Sequence, residues 1–90
     1  MTGFEISISG RDDGTIEAVY ISVGDNKVFR TKEIVPNQLL VDYDRGGNIV
    51  GIEILAPVRI ADITRLVDQS SRKPFKRFVT ESVPDQFVCN

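Results

Sequence analysis

Three carboxylates lie close together in one predicted hairpin: Asp42, Asp44 and Glu53. Clustered carboxylates can bind a divalent cation or act as an acid and base pair. Turn formation explains Asp44 without an ion, and Asp42 and Glu53 fit the solvent face of two adjacent strands. We therefore predict no metal site and no cofactor. An enzyme that uses Asp42 and Glu53 is the least favoured function considered.

A second group of residues with chemical potential is a short basic segment between positions 72 and 78. Its cations, Arg72, Lys73, Lys76 and Arg77, are interleaved with Phe75 and Phe78. This composition is compatible with phosphate contact and base stacking, so the four cations are the candidates for contact with nucleic acid or a protein partner. A solvated basic face with both rings in the core is the favoured interpretation. The sequence leaves nucleic-acid binding open.

The residue types that are missing exclude several classes of enzyme. The chain has no His, no Trp and one Cys. Acid and base catalysis by His, Cys-His nucleophile pairs, zinc sites rich in His or Cys, and disulfides within one chain are therefore excluded. Cys89 has no His to activate it and lies in a predicted loose tail. We predict that the protein is not an enzyme.

The first two-thirds of the sequence is predicted to form strands. Val and Ile number 21 among the 90 residues, and short Val/Ile-rich runs alternate with turn sequences. Five strands are expected between residues 4 and 55, as an antiparallel β-meander. The clearest hairpin surrounds Asp44-Arg45-Gly46-Gly47, where a glycine at the third or fourth position can adopt a positive φ. Gly51 carries no side chain, so a helix or another backbone is expected to approach there.

The apolar spacing changes from two to three or four at Pro57, which predicts a helix from about Val58 to Gln69 with Pro57 in its first turn. A second helix is favoured within residues 72–83, although strand is left open there. The chain is thus expected to be a single α+β domain over residues 1–90. It comprises a five-stranded β-meander at 4–55, a C-terminal segment of one or two helices at 57–83 and a loose tail at 84–90.

The predicted sheet is wider than one helix can cover. A twelve-residue helix is about 18 Å long and about 10 Å wide, whereas five strands span roughly 24 Å. Apolar surface then stays exposed unless the sheet curls, the second segment docks or a partner covers it. The sequence therefore predicts a homodimer.

The charge distribution separates the two parts of the chain. The net charge is −2, but residues 1–57 carry nine acidic and five basic residues, whereas residues 58–77 carry six basic and two acidic ones. The chain is not the strongly basic molecule expected of a dedicated nucleic-acid binder. No apolar run is long enough to span a membrane, and the first residues lack the features of a signal peptide, so no membrane contact and a cytoplasmic location are expected.

Three segments resemble a known family. The hairpin sequence LVDYDRGGNIVGIEIL at 40–55, with EAVYI at 17–21 and KVFRTKEI at 27–34, is similar to the small prokaryotic proteins of domain of unknown function family 2283. The resemblance covers roughly residues 4–55 and departs from the usual pattern at Val19 and Gly46. The resemblance implies a compact β-rich domain with no established activity. It also suggests that such proteins act as antitoxin-like partners of small ribonuclease-type toxins.

The favoured function is a non-enzymatic protein-interaction or structural module that self-associates. The alternative is an antitoxin-like regulator that binds a small basic protein through the acidic sheet, and nucleic acid through the basic segment.

Overall fold

The computed structural model describes residues 3–23, 27–69, 73–84 and 87–89. It contains a five-stranded antiparallel sheet followed by two helices, which confirms the predicted α+β fold. The strands are β1 (Phe4–Gly10), β2 (Ile16–Val23), β3 (Arg30–Val35), β4 (Leu39–Tyr43) and β5 (Ile49–Ile54), and two short strands, β6 (Val58–Arg59) and β7 (Val88–Cys89), form a separate pair. The helices are α1 (Ile60–Asp68) and α2 (Lys73–Ser82).

The strands of the large sheet lie in the order β1-β2-β5-β4-β3. The hairpin β1–β2 and the meander β3–β4–β5 join where β2 pairs with β5, with Ile21 opposite Ile52. The fifth strand lies at the centre of the sheet, between β2 and β4. Five of its six residues are therefore buried, and only Glu53 is partly exposed. The first and third strands form the two edges, and most of their residues are exposed.

The hairpin turns follow the turn chemistry of the sequence. The Arg11 amide donates to the Thr15 carbonyl at 2.8 Å, and Gly14 has a φ of 88°. In the predicted turn between β4 and β5, Gly47 supplies the positive φ, at 81°. Because this conformation is strained for other residues, the glycines fix where these two hairpins reverse.

Both helices contribute to the core on the same face of the sheet, which we call the helix-covered face. Ile63, Leu66 and Val67 of α1 are buried there. From α2, Phe75 is fully buried and its ring centroid lies 5.5 Å from that of Phe4. Strands β2, β4 and β5 complete the core with Val19, Ile21, Val23, Leu39, Val41, Ile49, Ile52 and Ile54. The second segment therefore docks on the sheet as a helix, which resolves the choice between helix and strand there.

The first helix begins two residues later than predicted. The expected helix started at Val58, but Val58 and Arg59 are extended and pair in parallel with Val88 and Cys89. Pro57 therefore lies outside the helix. The pairing with β7 explains the difference, because a strand formed by two distant segments leaves no signal in local spacing.

The expectation of a loose end to the chain is wrong where the structure describes it. Phe87 is buried, with 4% of its surface exposed, and belongs to the core. Its amide donates to the Pro84 carbonyl at 2.8 Å. Residues 87–89 are thus anchored by one aromatic side chain and by the pairing of β7 with β6.

Candidate functional site

A hydrogen-bonded group of side chains lies on the face of the sheet opposite the helices, which we call the open face. The Tyr20 hydroxyl donates to Asp42 Oδ2 at 2.6 Å, and the Thr31 hydroxyl donates to Asp42 Oδ1 at 2.6 Å. These residues come from β2, β4 and β3, so the group crosses the sheet over β5. Both oxygens of Asp42 are already engaged as acceptors.

Gly51 of β5 makes this arrangement possible. A Cβ atom built at Gly51 would lie 2.8 Å from Tyr20 Cζ and 3.0 Å from Asp42 Oδ2. The Tyr20 ring therefore occupies the space that a side chain at position 51 would need. The close approach predicted at Gly51 is thus made by a tyrosine ring, not by a helix or another backbone.

The environment of Tyr20 favours its neutral form. Burial raises the pKa of the Tyr20 hydroxyl well above its usual range, and the hydrogen bond to Asp42 and the negative charges of Asp42 and Glu53 raise it further. The hydroxyl is therefore a fixed donor at ordinary pH. Such a group holds Asp42 in place by donating its proton in a hydrogen bond.

The hairpin carboxylates are divided between two structural roles. Asp44 lies in the turn, where its Oδ1 accepts from the Asn48 amide at 2.9 Å. Asp42 and Glu53 lie on the open face, opposite Gly51 and Leu40 respectively. Within residues 3–23, 27–69, 73–84 and 87–89, no three His, Cys, Asp or Glu residues form a group that could hold a metal ion.

The basic segment is placed on α2, with Arg72 outside the described residues. Lys73 is exposed at the start of the helix. Lys76 forms an ion pair with Asp68 of α1, and Arg77 Nε lies 3.0 Å from Glu81 Oε1. Acidic neighbours therefore already bind two of the candidate cations.

The two aromatic residues of the basic segment face the core. Phe75 is fully buried, and Phe78 is half-buried with its ring centroid 5.4 Å from that of Phe4. Neither ring is presented as a platform on which a base could stack. The placement of both rings agrees with the interpretation in which they lie in the core, and contact of the cations with nucleic acid stays a prediction.

A pairing of cations with aromatic rings that sequence reasoning missed lies at the end of the sheet near the turn between β4 and β5. Phe29 is 56% exposed, and the Arg45 guanidinium carbon lies 4.8 Å from its ring centroid. The Arg30 guanidinium carbon lies 5.4 Å from the ring of Tyr43. Phe29 and Arg45 come from different segments, so only an aromatic residue among the polar neighbours Lys27, Arg30 and Lys32 could have signalled the site. A shallow depression of about 420 Å³ borders Phe29 and Arg45.

The two edges of the sheet differ in the residues that they expose. On β1, Ile6 and Ile8 are 38% and 51% exposed and lie opposite Ile21 and Val19, on the helix-covered face. On β3, Lys32 occupies the corresponding face opposite Val41. One edge thus presents two apolar side chains where the other presents a cation.

The backbone of Cys89 pairs with Arg59, while its side chain lies outside the described part of the chain. None of the helices that the structure describes is long and apolar enough to cross a membrane.

Comparison with known proteins gives one match. The family described as "Protein of unknown function (DUF2283)" matches residues 13–56, from the turn before β2 to just after β5. No curated protein and no solved structure matches the chain. β1, β6, β7 and both helices lie outside the matched segment. The resemblance is therefore confirmed for the part of the sheet from β2 to β5, and that part is similar to a family of unknown function.

Proposed function

We propose that this chain is a non-enzymatic protein-interaction module that self-associates through β1, which is an edge strand among the described strands of the sheet. The observation that carries the proposal is the unequal protection of the two sheet edges. An edge strand presents unpaired amide and carbonyl groups, and proteins commonly block such edges with charges, bulges or proline. In this sheet such protecting residues are present on the β3 edge and absent from most of the β1 edge.

The β3 edge has three protecting features. It carries Arg30, Lys32 and Glu33 within six residues. The register shifts between Glu33 and Val35, which interrupts the regular ladder. Lys32 lies on the helix-covered face, where a pairing strand would bring apolar side chains. A second strand that docked on β3 would therefore bury a cation without a partner, which is costly.

The β1 edge lacks these features over most of its length. Its seven residues contain one charge, Glu5, and no Lys, Arg or Pro. Its register is regular from Phe4 to Ser9 and shifts only before Gly10. Ile6 and Ile8 are exposed beside this edge, so a second strand would gain backbone hydrogen bonds and bury apolar surface together.

The hydrogen bonds of Asp42 support the proposal that the protein is not an enzyme. Both oxygens of Asp42 accept hydrogen bonds from Tyr20 and Thr31. Those bonds hold Asp42 as a structural acceptor, which is a different role from that of an acid or a base poised for proton transfer. A cytoplasmic location also stays a prediction from the sequence.

Size-exclusion chromatography with light scattering tests the proposal. At micromolar concentration we expect the wild type to have twice the mass of the 10.0 kDa chain. Ile8→Lys places a charge on the β1 edge and should give the 10.0 kDa species. The matched control is Ile34→Lys, which makes the same change at a 36% exposed isoleucine on β3 and should leave the dimer intact. A wild type of monomer mass, or an Ile8→Lys dimer, would contradict the proposal.

A specific observation also supports the alternative, an antitoxin-like regulator that binds a small basic protein. Two registered rows of the open face contain four carboxylates and no Lys or Arg: Glu5, Ser22, Gly51, Asp42 and Thr31 in one, and Ser7, Tyr20, Glu53, Leu40 and Glu33 in the other. Such a face attracts cationic surfaces.

Titration of the protein with a Lys/Arg-rich peptide, followed by amide chemical shifts, tests this alternative. Binding should move the amides of these two rows and should weaken steeply as salt increases, because the interaction is electrostatic. Shifts confined to other surfaces would exclude the open face as the binding site.

A further inference from the structure

We infer that two copies of β1 pair in an antiparallel register centred on Ser7. This inference rests on the proposed self-association and adds the geometry of the interface. A symmetric dimer brings the same strand of each copy against itself, so the register is defined by the residue that lies on the two-fold axis.

The faces of β1 restrict the choice of register. Ile6 and Ile8 lie on the helix-covered face, whereas Glu5, Ser7 and Ser9 lie on the open face. Directly opposite residues in an antiparallel pair share a face, so a register that is offset by one residue would place isoleucines opposite serines. The axis must therefore pass through a residue and not between two residues.

Among the remaining registers, only the one centred on Ser7 satisfies all the side chains of the strand. It places Ile6 opposite Ile8 of the second copy, twice, which buries all four isoleucines in cross-strand pairs. It places Glu5 opposite Ser9, so the two Glu5 carboxylates are kept apart. It also uses the full length of β1, because Phe4 then lies opposite Gly10.

The neighbouring registers lose part of this complementarity. An axis at Ile6 leaves Ile8 opposite Phe4, next to the ring packing of Phe4 with α2, and shortens the pairing. An axis at Ile8 places Ile6 opposite Gly10, which has no side chain to pack against it, and shortens the pairing. An axis at Glu5 brings two carboxylates directly opposite each other, which is destabilising.

The paired strands would join the two five-stranded sheets into one continuous sheet. Because opposite residues share a face, the helices of both copies lie on the same side, and the two open faces form a single surface. The Ile6 and Ile8 side chains of both copies then extend the apolar layer from one core to the next. The interface thus covers the apolar groups that the single chain exposes along β1.

Cysteine cross-linking tests the register, in a chain that carries Cys89→Ser so that no other thiol is present. With Ser7→Cys, the thiols of the two copies are directly opposite, at a Cα separation of about 4.5–5.5 Å that suits a disulfide. The matched control is Ser9→Cys on the same strand and face. Its two copies are offset by four residues, or about 13 Å along the strand, and cannot be bridged.

Mild oxidation should convert most of the Ser7→Cys chain to a disulfide-linked dimer, at least about tenfold more than the Ser9→Cys chain, because only the former holds its thiols at high effective concentration. A mixture of Glu5→Cys and Ser9→Cys chains should also cross-link. Urea unfolding of each reduced variant verifies that it is folded. A wild type that is monomeric in solution overturns both proposals, whereas a dimer in which Ser7→Cys fails to cross-link, or cross-links no better than Ser9→Cys, overturns the register alone.

Discussion

At the scale of single residues, the open face shows how a glycine in a central strand can be required by a neighbour. Gly51 is buried, and the side chain that covers it comes from Tyr20, which lies on the adjacent strand. The ring lies across β5 because its hydroxyl reaches Asp42 on the far side. Position 51 therefore holds glycine for packing, with a backbone conformation that any residue could adopt.

Gly51→Ala should destabilise the fold by about 1–3 kcal/mol, because the added Cβ displaces the Tyr20 ring and breaks its hydrogen bond. Urea unfolding measures this change. The control is the same substitution in a Tyr20→Ala background, where the ring is absent and only Asp42 Oδ2 lies within 3.0 Å of the added Cβ, so alanine should cost much less. An equal loss of stability in both backgrounds would show that the Tyr20 ring is not the cause.

The raised pKa of Tyr20 predicts a dependence of stability on alkaline pH. The folded chain holds the Tyr20 proton at pH values where the unfolded chain, with a tyrosine pKa of 10.0, releases it. The stabilisation linked to this proton is therefore complete below about pH 10 and is lost as the pH rises above that value. Tyr20→Phe removes both the proton and one hydrogen bond worth about 1 kcal/mol.

We expect the wild type to be more stable than Tyr20→Phe near neutral pH, and the difference to shrink above pH 10. Urea unfolding of both proteins across this range measures the difference. Contributions from other titrating groups cancel in the comparison because both chains share them. A difference that stays constant up to alkaline pH would contradict the assigned environment of Tyr20.

At the scale of elements, the start of α1 is poorly stabilised. Arg59 occupies the cap position with φ −70° and ψ 139°, and its side chain makes no cap hydrogen bond. Serine has a short hydroxyl that can accept from the amides of the first turn. Arg59→Ser should therefore raise the free energy of unfolding by about 1 kcal/mol.

The control for this prediction is Arg59→Ala, which removes the same exposed side chain without supplying an acceptor. Its stability should stay close to that of the wild type. Thermal unfolding of the three proteins compares them, and equal stability of the serine and alanine variants would mean that capping is not the limiting feature.

The outcome for each element depended on whether its determinants are local. The hairpin between β4 and β5 could be predicted because Asp44 and Gly47 encode its turn within a few residues. The position of β5 between β2 and β4 could not, because that pairing joins residues about thirty positions apart, such as Ile21 and Ile52. The same limit applies to β6, whose partner β7 lies at the other end of the helical segment.

The candidate sites show the same difference between features encoded within a few residues and features made by distant segments. The role of Asp44 was evident from its turn, and the solvent-facing roles of Asp42 and Glu53 followed from alternation along their strands. The hydrogen bond from Tyr20 to Asp42 was not evident, because it crosses an intervening strand and requires Gly51 beneath the ring. The pairing of Arg45 with Phe29 likewise depends on the way in which separate segments meet at one end of the sheet.

At the scale of the whole molecule, the β1 edge of the sheet is a better candidate for self-association than the face that the helices cover. The sequence predicted a homodimer because one helix is too narrow for five strands, but α2 docks beside α1 and covers more of the same face. The exposed apolar groups that bear on the proposal are Ile6 and Ile8 beside β1. Self-association is therefore proposed at a strand edge, where backbone groups and side chains act together.

Self-association through β1 predicts that thermal stability depends on protein concentration. If the folded state is a dimer and the unfolded state is a monomer, a tenfold increase in concentration stabilises the dimer by about 1.4 kcal/mol, or about 0.7 kcal/mol per chain. For a domain of this size that raises the Tm by about 3–5 °C. Scanning calorimetry over a hundredfold range of concentration should show this increase for the wild type and for Ile34→Lys. Ile8→Lys, with its charged β1 edge, should unfold at one temperature throughout, and a wild-type Tm that is independent of concentration would contradict the dimer.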